Sequence, residues 1–166
     1  MTRPAAGGAP VAAAAGCDVC RIHADHDTCA PFEVARDGRW VVRHHLPPAP
    51  LAGWTFLCTE RHVQGPTDLD DAEADGLGRA IRRVSRAVRE ATGCDRVYAI
   101  AFGQGAPHLH VHLVPRFDAE PETAAWKVAD WYRAVERGER AAADLGSVER
   151  AVLRVREALG DGPIDR

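Results

Sequence analysis

Nowhere does this chain hold an apolar run close to the roughly 20 residues that cross a bilayer, so a membrane-spanning helix is excluded. An excess of positive charge is missing too. The 21 Lys and Arg residues stand against 24 Asp and Glu, a net charge of −3, which leaves no electrostatic footprint for a nucleic-acid polymer and room only for a local basic pocket. The cysteines number five, an odd count at uneven spacing, which argues against a secreted disulfide framework. Ala13-Ala14-Ala15-Gly16-Cys17 has the residues of a lipoprotein cleavage site, but residues 11–15 are too short and too weakly apolar for a signal-peptide core. Internal repeats and a second domain are also lacking. These absences point to a cytoplasmic single-domain protein, and with 46% apolar residues its 166 residues can supply one core.

Residues 1–16 are mostly Ala, Gly and Pro with one Arg, a composition expected to stay disordered. Residues 32–36 and 39–44 flank Asp37-Gly38, where both turn positions accept positive φ, so a hairpin is predicted. Leu46-Pro47-Pro48-Ala49-Pro50 lacks most ladder donors and is a connection, after which residues 54–58 resume the sheet. Asp68 or Asp70 caps a helix that runs to residue 92 and ends at Gly93. Its apolar stripe is Leu69, Leu77, Ile81, Val84 and Val88, and Arg79, Arg82, Arg83, Arg86 and Arg89 read as its solvated face. A strand over 97–102 follows. Beyond Arg116, helices are predicted over 124–137 and, from a Ser147 cap, over 148–159, with Trp126 and Trp131 expected to pack in the core.

The chemistry lies between them. In His108-Leu109-His110-Val111-His112-Leu113-Val114, three imidazoles alternate with apolar residues, so an extended strand sends the imidazoles to one face and the apolar side chains to the other. Residues i and i+4 of a strand are about 13 Å apart, too far for all three rings to converge on one metal. A phosphate with its leaving group fits across neighbouring rings, one imidazole attacking phosphorus and another stabilising charge. Cys17-Asp18-Val19-Cys20 places two thiolates at a spacing suited to tetrahedral zinc, which needs two further ligands; His23, His26 and Cys29 are local candidates. Cys58 and Cys94 read as ordinary free cysteines.

His108-Leu-His-Val-His-Leu-Val-Pro-Arg116 resembles the signature of the histidine triad (HIT) superfamily of nucleotidyl hydrolases and transferases. Gly53-Trp-Thr-Phe-Leu-Cys-Thr-Glu-Arg-His62 is similar to the family's first core strand with its terminal basic-His pair, and the resemblance covers residues 17–116. It implies an α+β, HIT-like fold: an antiparallel β-sheet with one main helix packed on it. Residues 17–116 would form the HIT domain with an N-terminal zinc knuckle, and 117–166 a helical extension packed on the same domain. By position His110 matches the nucleophile that becomes nucleotidylated, and His112 a group that hydrogen-bonds phosphate oxygens or the bridging atom. Gln104 and Gly105, ahead of the triad, match the stretch that contacts phosphate or leaving group. Zinc-containing members complete a structural zinc site with a His after the first core strand and the first triad His, here His62 and His108 beside Cys17 and Cys20.

The chain also departs from the family. Many members carry a ribose-binding acid shortly before the first core strand, and the matching stretch here, His44-His45-Leu46-Pro47-Pro48, has none, leaving His45 to approach sugar or base. Gly105 stands where a hydroxyl residue is often found. The resemblance implies hydrolysis at the α-phosphate of a dinucleoside polyphosphate or a nucleoside phosphoramidate through a nucleotidyl-histidine intermediate. A transferase or phosphorylase using the same intermediate, or a nucleotide-binding protein with weak turnover, are the alternatives. A homodimer is expected, with no nucleic-acid polymer or membrane as partner.

Overall fold

Asp37 and Gly38 turn the first hairpin, although only Gly38 takes the positive φ expected to be open to both. Gly38 takes φ +85°, and the Asp37 carboxylate accepts from the backbone amides of Arg39 and Trp40. In this computed structural model, which describes residues 14–103 and 105–166, the hairpin joins β1 (Glu33–Arg36) to β2 (Trp40–His44). Three more strands follow, β3 (Thr55–Thr59), β4 (Arg96–Ile100) and β5 (His110–Arg116), and the antiparallel sheet has the order β1-β2-β3-β5-β4. The helices are α1 (Asp18–Ala24), α2 (His26–Cys29), α3 (Asp71–Thr92), α4 (Ala125–Glu136) and α5 (Leu145–Leu159). This is the expected α+β architecture.

Register decides which residues share a face. Val42 opposes Leu57, and Leu57 opposes Val111, so these side chains line one side with Trp40 and Leu113. That side is covered by Ala80, Val84, Ala87 and Val88 of α3 and by Val155 and Leu159 of α5, which together form the main core. Burying each such valine or leucine stabilises the fold by about 1.5–3 kcal/mol. The opposite side carries Val41, Arg43, Phe56, Cys58, His110 and His112. The α1 segment covers one end of it through Cys17, Val19 and Cys20, and Val128 of α4 packs on Trp54 and Val114 at the other.

Helix α3 starts as its sequence dictates. Asp70 and Glu73 form a reciprocal capping box, and Gly93 closes the helix in the left-handed region at φ +69°. Several expectations need correcting. The triad strand begins at His110, so His108 precedes the ladder. Strand β4 ends at Ile100, leaving Phe102 in the loop. Helix α5 starts three residues early because Asp144 caps it and accepts from the Ser147 amide; Ser147 is not the cap. Arg79 and Arg83 do not simply face solvent, since both donate to backbone carbonyls of the C-terminal residues 159–165. That segment is strapped down by buried Ile164 and by Asp165, which accepts from Trp40 Nε1 and pairs with Arg39. Trp126 is 92% exposed and no core residue: Val128 and Val135 define the buried stripe of α4, and residue 126 lies opposite Val128 on the helical wheel. Trp131 is half-buried under the Arg140 guanidinium. Of the tail expected to be disordered, 14–16 belong to a turn in which the Cys17 amide donates to Ala14, and 1–13 lie outside the described residues. Among the described residues no helix is long and apolar enough to cross a membrane.

Candidate functional site

His110 and His112 lie side by side on the half-covered face, ring centroids 5.1 Å apart. Strand β5 alternates them with buried Val111 and Leu113, so the core on one side of the sheet fixes the imidazoles on the other.

The hydrogen bonds assign a tautomer to each ring, because a backbone carbonyl only accepts and an indole N–H only donates. His110 Nδ1 lies 2.6 Å from the His108 carbonyl oxygen, so Nδ1 carries the proton and Nε2 keeps its lone pair. His112 Nδ1 accepts from Trp54 Nε1 at 3.1 Å, which puts the proton on Nε2, a buried atom with no partner among the described residues. Adjacent rings thus present a lone pair and an N–H. Burial lowers the ionisation of both, His112 to about 3, so both are neutral at pH 7.

Trp54 owes its position to a shaped turn. Gly53 adopts φ +89°, and a Cβ there would collide with Thr92 Cγ2. Its amide donates to His44 Nε2 at 2.8 Å, while His44 Nδ1–H donates to the His45 carbonyl. His44 is therefore a fully buried strut on the core side of β2, its ionisation pushed down to about 4 by burial. His45 faces the site, in contact with Trp54, Phe56 and Tyr132. Its Nδ1–H donates to Leu46 at 2.6 Å, leaving Nε2 as an acceptor. Phe102, 45% exposed, brings its ring to 4.9 Å from His112 at the open side. Gly105 sits exposed in the same loop, with open space where a Cβ would stand, and Gln104 lies outside the described residues.

The first triad residue turns to different work. His108 is fully buried, and its Nε2–H donates to the Thr59 carbonyl at 2.9 Å, leaving the Nδ1 lone pair free. That atom lies 3.4 Å from Cys20 Sγ and 3.7 Å from Cys17 Sγ, while His62 Nδ1 lies 3.4 Å from Cys20 Sγ. The four donor atoms fall within 4.8 Å of one another. Tetrahedral zinc with sulfur and nitrogen ligands sets adjacent donors about 3.6 Å apart, so the donor set and its spacing fit such an ion. Local structure builds the cluster: Cys17 caps α1, with the Cys20 amide donating to its sulfur, and Arg61 clamps the loop carrying His62 by pairing with buried Glu73. His23 is buried edge-on to His108 at 5.3 Å, but its nitrogens are not among the four donors, and neither are His26 or Cys29. Cys29, Cys58 and Cys94 are buried and free.

Sequence reasoning missed Trp54, Phe56, Tyr132 and Arg43. The alternation of Val41, Arg43 and His45 on one face was the available signal for the last.

A HIT-domain family model matches residues 33–119, more than half of the chain. The chain belongs to the HIT family. Among solved structures it is similar to a zinc-bound histidine triad family protein from Mycobacterium smegmatis, at 19% identity and TM-score 0.64, covering 87% of this chain and 93% of that one. A histidine triad protein from Bradyrhizobium japonicum is 26% identical, with TM-score 0.60 over 78% of this chain and 90% of that one. A hypothetical histidine triad nucleotide-binding protein from Sulfolobus tokodaii is 18% identical, with TM-score 0.58 and coverage of 77% and 83%. No curated protein matches by sequence.

Proposed function

We propose that this HIT protein cleaves nucleotides at the α-phosphorus through a nucleotidyl-His110 intermediate, with diadenosine polyphosphate-like substrates ahead of adenosine phosphoramidate-type ones. The supporting observation is the pair of opposed tautomers: a lone pair on His110 Nε2 beside an N–H on His112 Nε2. His110 Nε2 attacks phosphorus, forming the N–P bond as the bond to the leaving group breaks, and the His112 N–H stabilises charge on the phosphate oxygens or the bridging atom. Water then attacks the same phosphorus, the N–P bond breaks, and nucleoside monophosphate leaves with His110 restored. Burial serves the first step by keeping His110 neutral, since a protonated imidazole has no lone pair to offer.

Cys17, Cys20, His62 and His108 would hold a structural zinc, which would tie α1 to the sheet. The similar Mycobacterium smegmatis protein is zinc-bound, which supports the same assignment here.

Early quenching of the reaction with substrate labelled at the α-phosphate tests the function. The expected result is an acid-labile, base-stable adduct on His110, and a fall in turnover of several orders of magnitude for His110→Ala with nucleotide binding retained. Diadenosine tetraphosphate and a fluorogenic nucleoside phosphoramidate, assayed side by side, identify the substrate class. Near wild-type turnover in His110→Ala without protein labelling would show direct attack by water.

A further inference from the structure

One cation on the triad face has no role in this scheme. Arg43 opposes Phe56 in the β2–β3 register, and Phe56 opposes His112 across β3–β5, so the three form one row. The guanidinium lies over the Phe56 ring at 4.5 Å. The same ring stands 4.6 Å from His112, 5.3 Å from His45 and 5.9 Å from His110, centroid to centroid. A single phenyl group therefore separates this charge from three site imidazoles.

Arg43 is only 6% exposed, and its buried Nε has no hydrogen-bond partner among the described residues. Glu33 opposes it in the β1–β2 register, yet no carboxylate hydrogen-bonds to it among the described residues. Glu33 and Glu60 are both held by Arg36, and the Cys29 and Cys58 thiols are kept protonated by burial. Burial lowers the ionisation of His45, His110 and His112 most, and the Arg43 charge lowers all three further. Stacking on Phe56 satisfies one face of the guanidinium and leaves its in-plane donors, the fork that suits a phosphate. A buried guanidinium with no anion hydrogen-bonded to it is costly, and a ligand that brings such an anion reduces that cost on binding.

We propose that Arg43 is a second anion-binding group of the site, and that the substrate carries a phosphate besides the one His110 attacks. The proposal rests on the nucleotide reading above. Two sources share this chemistry: the next phosphate of a polyphosphate chain, and a phosphate ester on the sugar.

Equilibrium binding to the His110→Ala protein, which removes turnover, tests it. Probes are AMP, ADP, adenosine 3′,5′-bisphosphate and inorganic pyrophosphate. ADP or the bisphosphate should bind at least about tenfold tighter than AMP, as one charge-assisted contact allows, and whichever gains names the source. Adding Arg43→Met should abolish that preference and leave AMP affinity within about threefold, while Arg43→Lys restores part of it. Equal binding of all three nucleotides, or a preference that survives Arg43→Met, overturns the proposal. Pyrophosphate separates the two ideas: binding lost in Arg43→Met while no nucleotide binds keeps the anion site and removes the nucleotide reading, and no binding of any probe removes both. Apo Arg43→Met should melt no lower than its parent, and a large drop would mark Arg43 as structural. If Arg43→Met does not fold, Arg43→Gln and Arg43→Lys carry the same comparison.

Discussion

Replacing Trp54 with Phe isolates what one hydrogen bond does for the reaction. The indole N–H donates to His112 Nδ1 and so fixes the proton on Nε2, facing the place where the leaving group would develop charge. Phenylalanine keeps an aromatic ring but no donor. His112 Nδ1 then loses its partner inside a 4%-exposed side chain, and the indole volume is only partly refilled. The buried unsatisfied nitrogen costs about 1–3 kcal/mol of stability, to which the cavity adds. For the chemistry, the bond's net worth of about 1 kcal/mol is also the bias toward the productive tautomer, whose share should fall from about 85% to about half, so kcat should fall about twofold with little change in KM. Nitrogen NMR of His112 reads the tautomer directly, and steady-state kinetics on the better substrate reads the rate. The Nε2–H form should dominate in wild type and give way to a mixture in Trp54→Phe. An unchanged tautomer together with an unchanged kcat would refute the reasoning, because something other than the indole would then be setting the proton.

Purified protein should carry about one zinc per chain. Cys20→Ser and His62→Ala should each lose metal and lower the melting temperature, whereas His23→Ala should keep the metal; loss in His23→Ala but not in His62→Ala would move the site to the local Cys-Cys-His knuckle. His44, depressed to about 4 by burial, takes up its proton in the unfolded chain before the folded one. Its stabilisation is complete above pH 6.5 and is lost as pH falls from 6.5 toward 4, up to about 3 kcal/mol, and His44→Gln should flatten the melting-temperature curve over that window. An identical slope in the variant would remove His44 as the cause. Strand β4 lies at the sheet edge, so a homodimer is expected by light scattering at micromolar concentration, and a monomeric mass would contradict it.

Features whose information is local were legible in advance. The Asp-Gly turn, the Asp70 cap, the Gly93 stop and the two-residue period of β5 each read out a backbone preference, and each appears in the structure. The two faces of β5 followed from alternation alone. What depends on distant packing was hidden. Helices α1 and α2, seven and four residues long, are too short to show a period. The roles of Arg79 and Arg83 exist only because the C-terminus folds back across α3. Trp126 is an instructive case, because hydrophobicity suggested burial while the positions of Val128 and Val135 already turned it outward. Arg43 stood among Trp40, Val41 and Val42, and nothing in the sequence revealed that Glu33, opposite it in the sheet, would pair with Arg36 instead.

His108 serves two masters with two different parts of itself. Its ring joins Cys17, Cys20 and His62, while its carbonyl oxygen accepts the hydrogen bond from His110 Nδ1–H and so keeps the His110 lone pair on the outer nitrogen. Alanine at position 108 would retain that carbonyl yet free the strand entry from its anchor, so a loss of activity would look like the loss of a catalytic imidazole. Counting essential histidines would then give three where the proposed mechanism uses two. The N-terminal knuckle and the nucleophile are consecutive links of one chain, and slack introduced some 90 residues upstream in sequence would be felt at phosphorus as a poorly aimed lone pair.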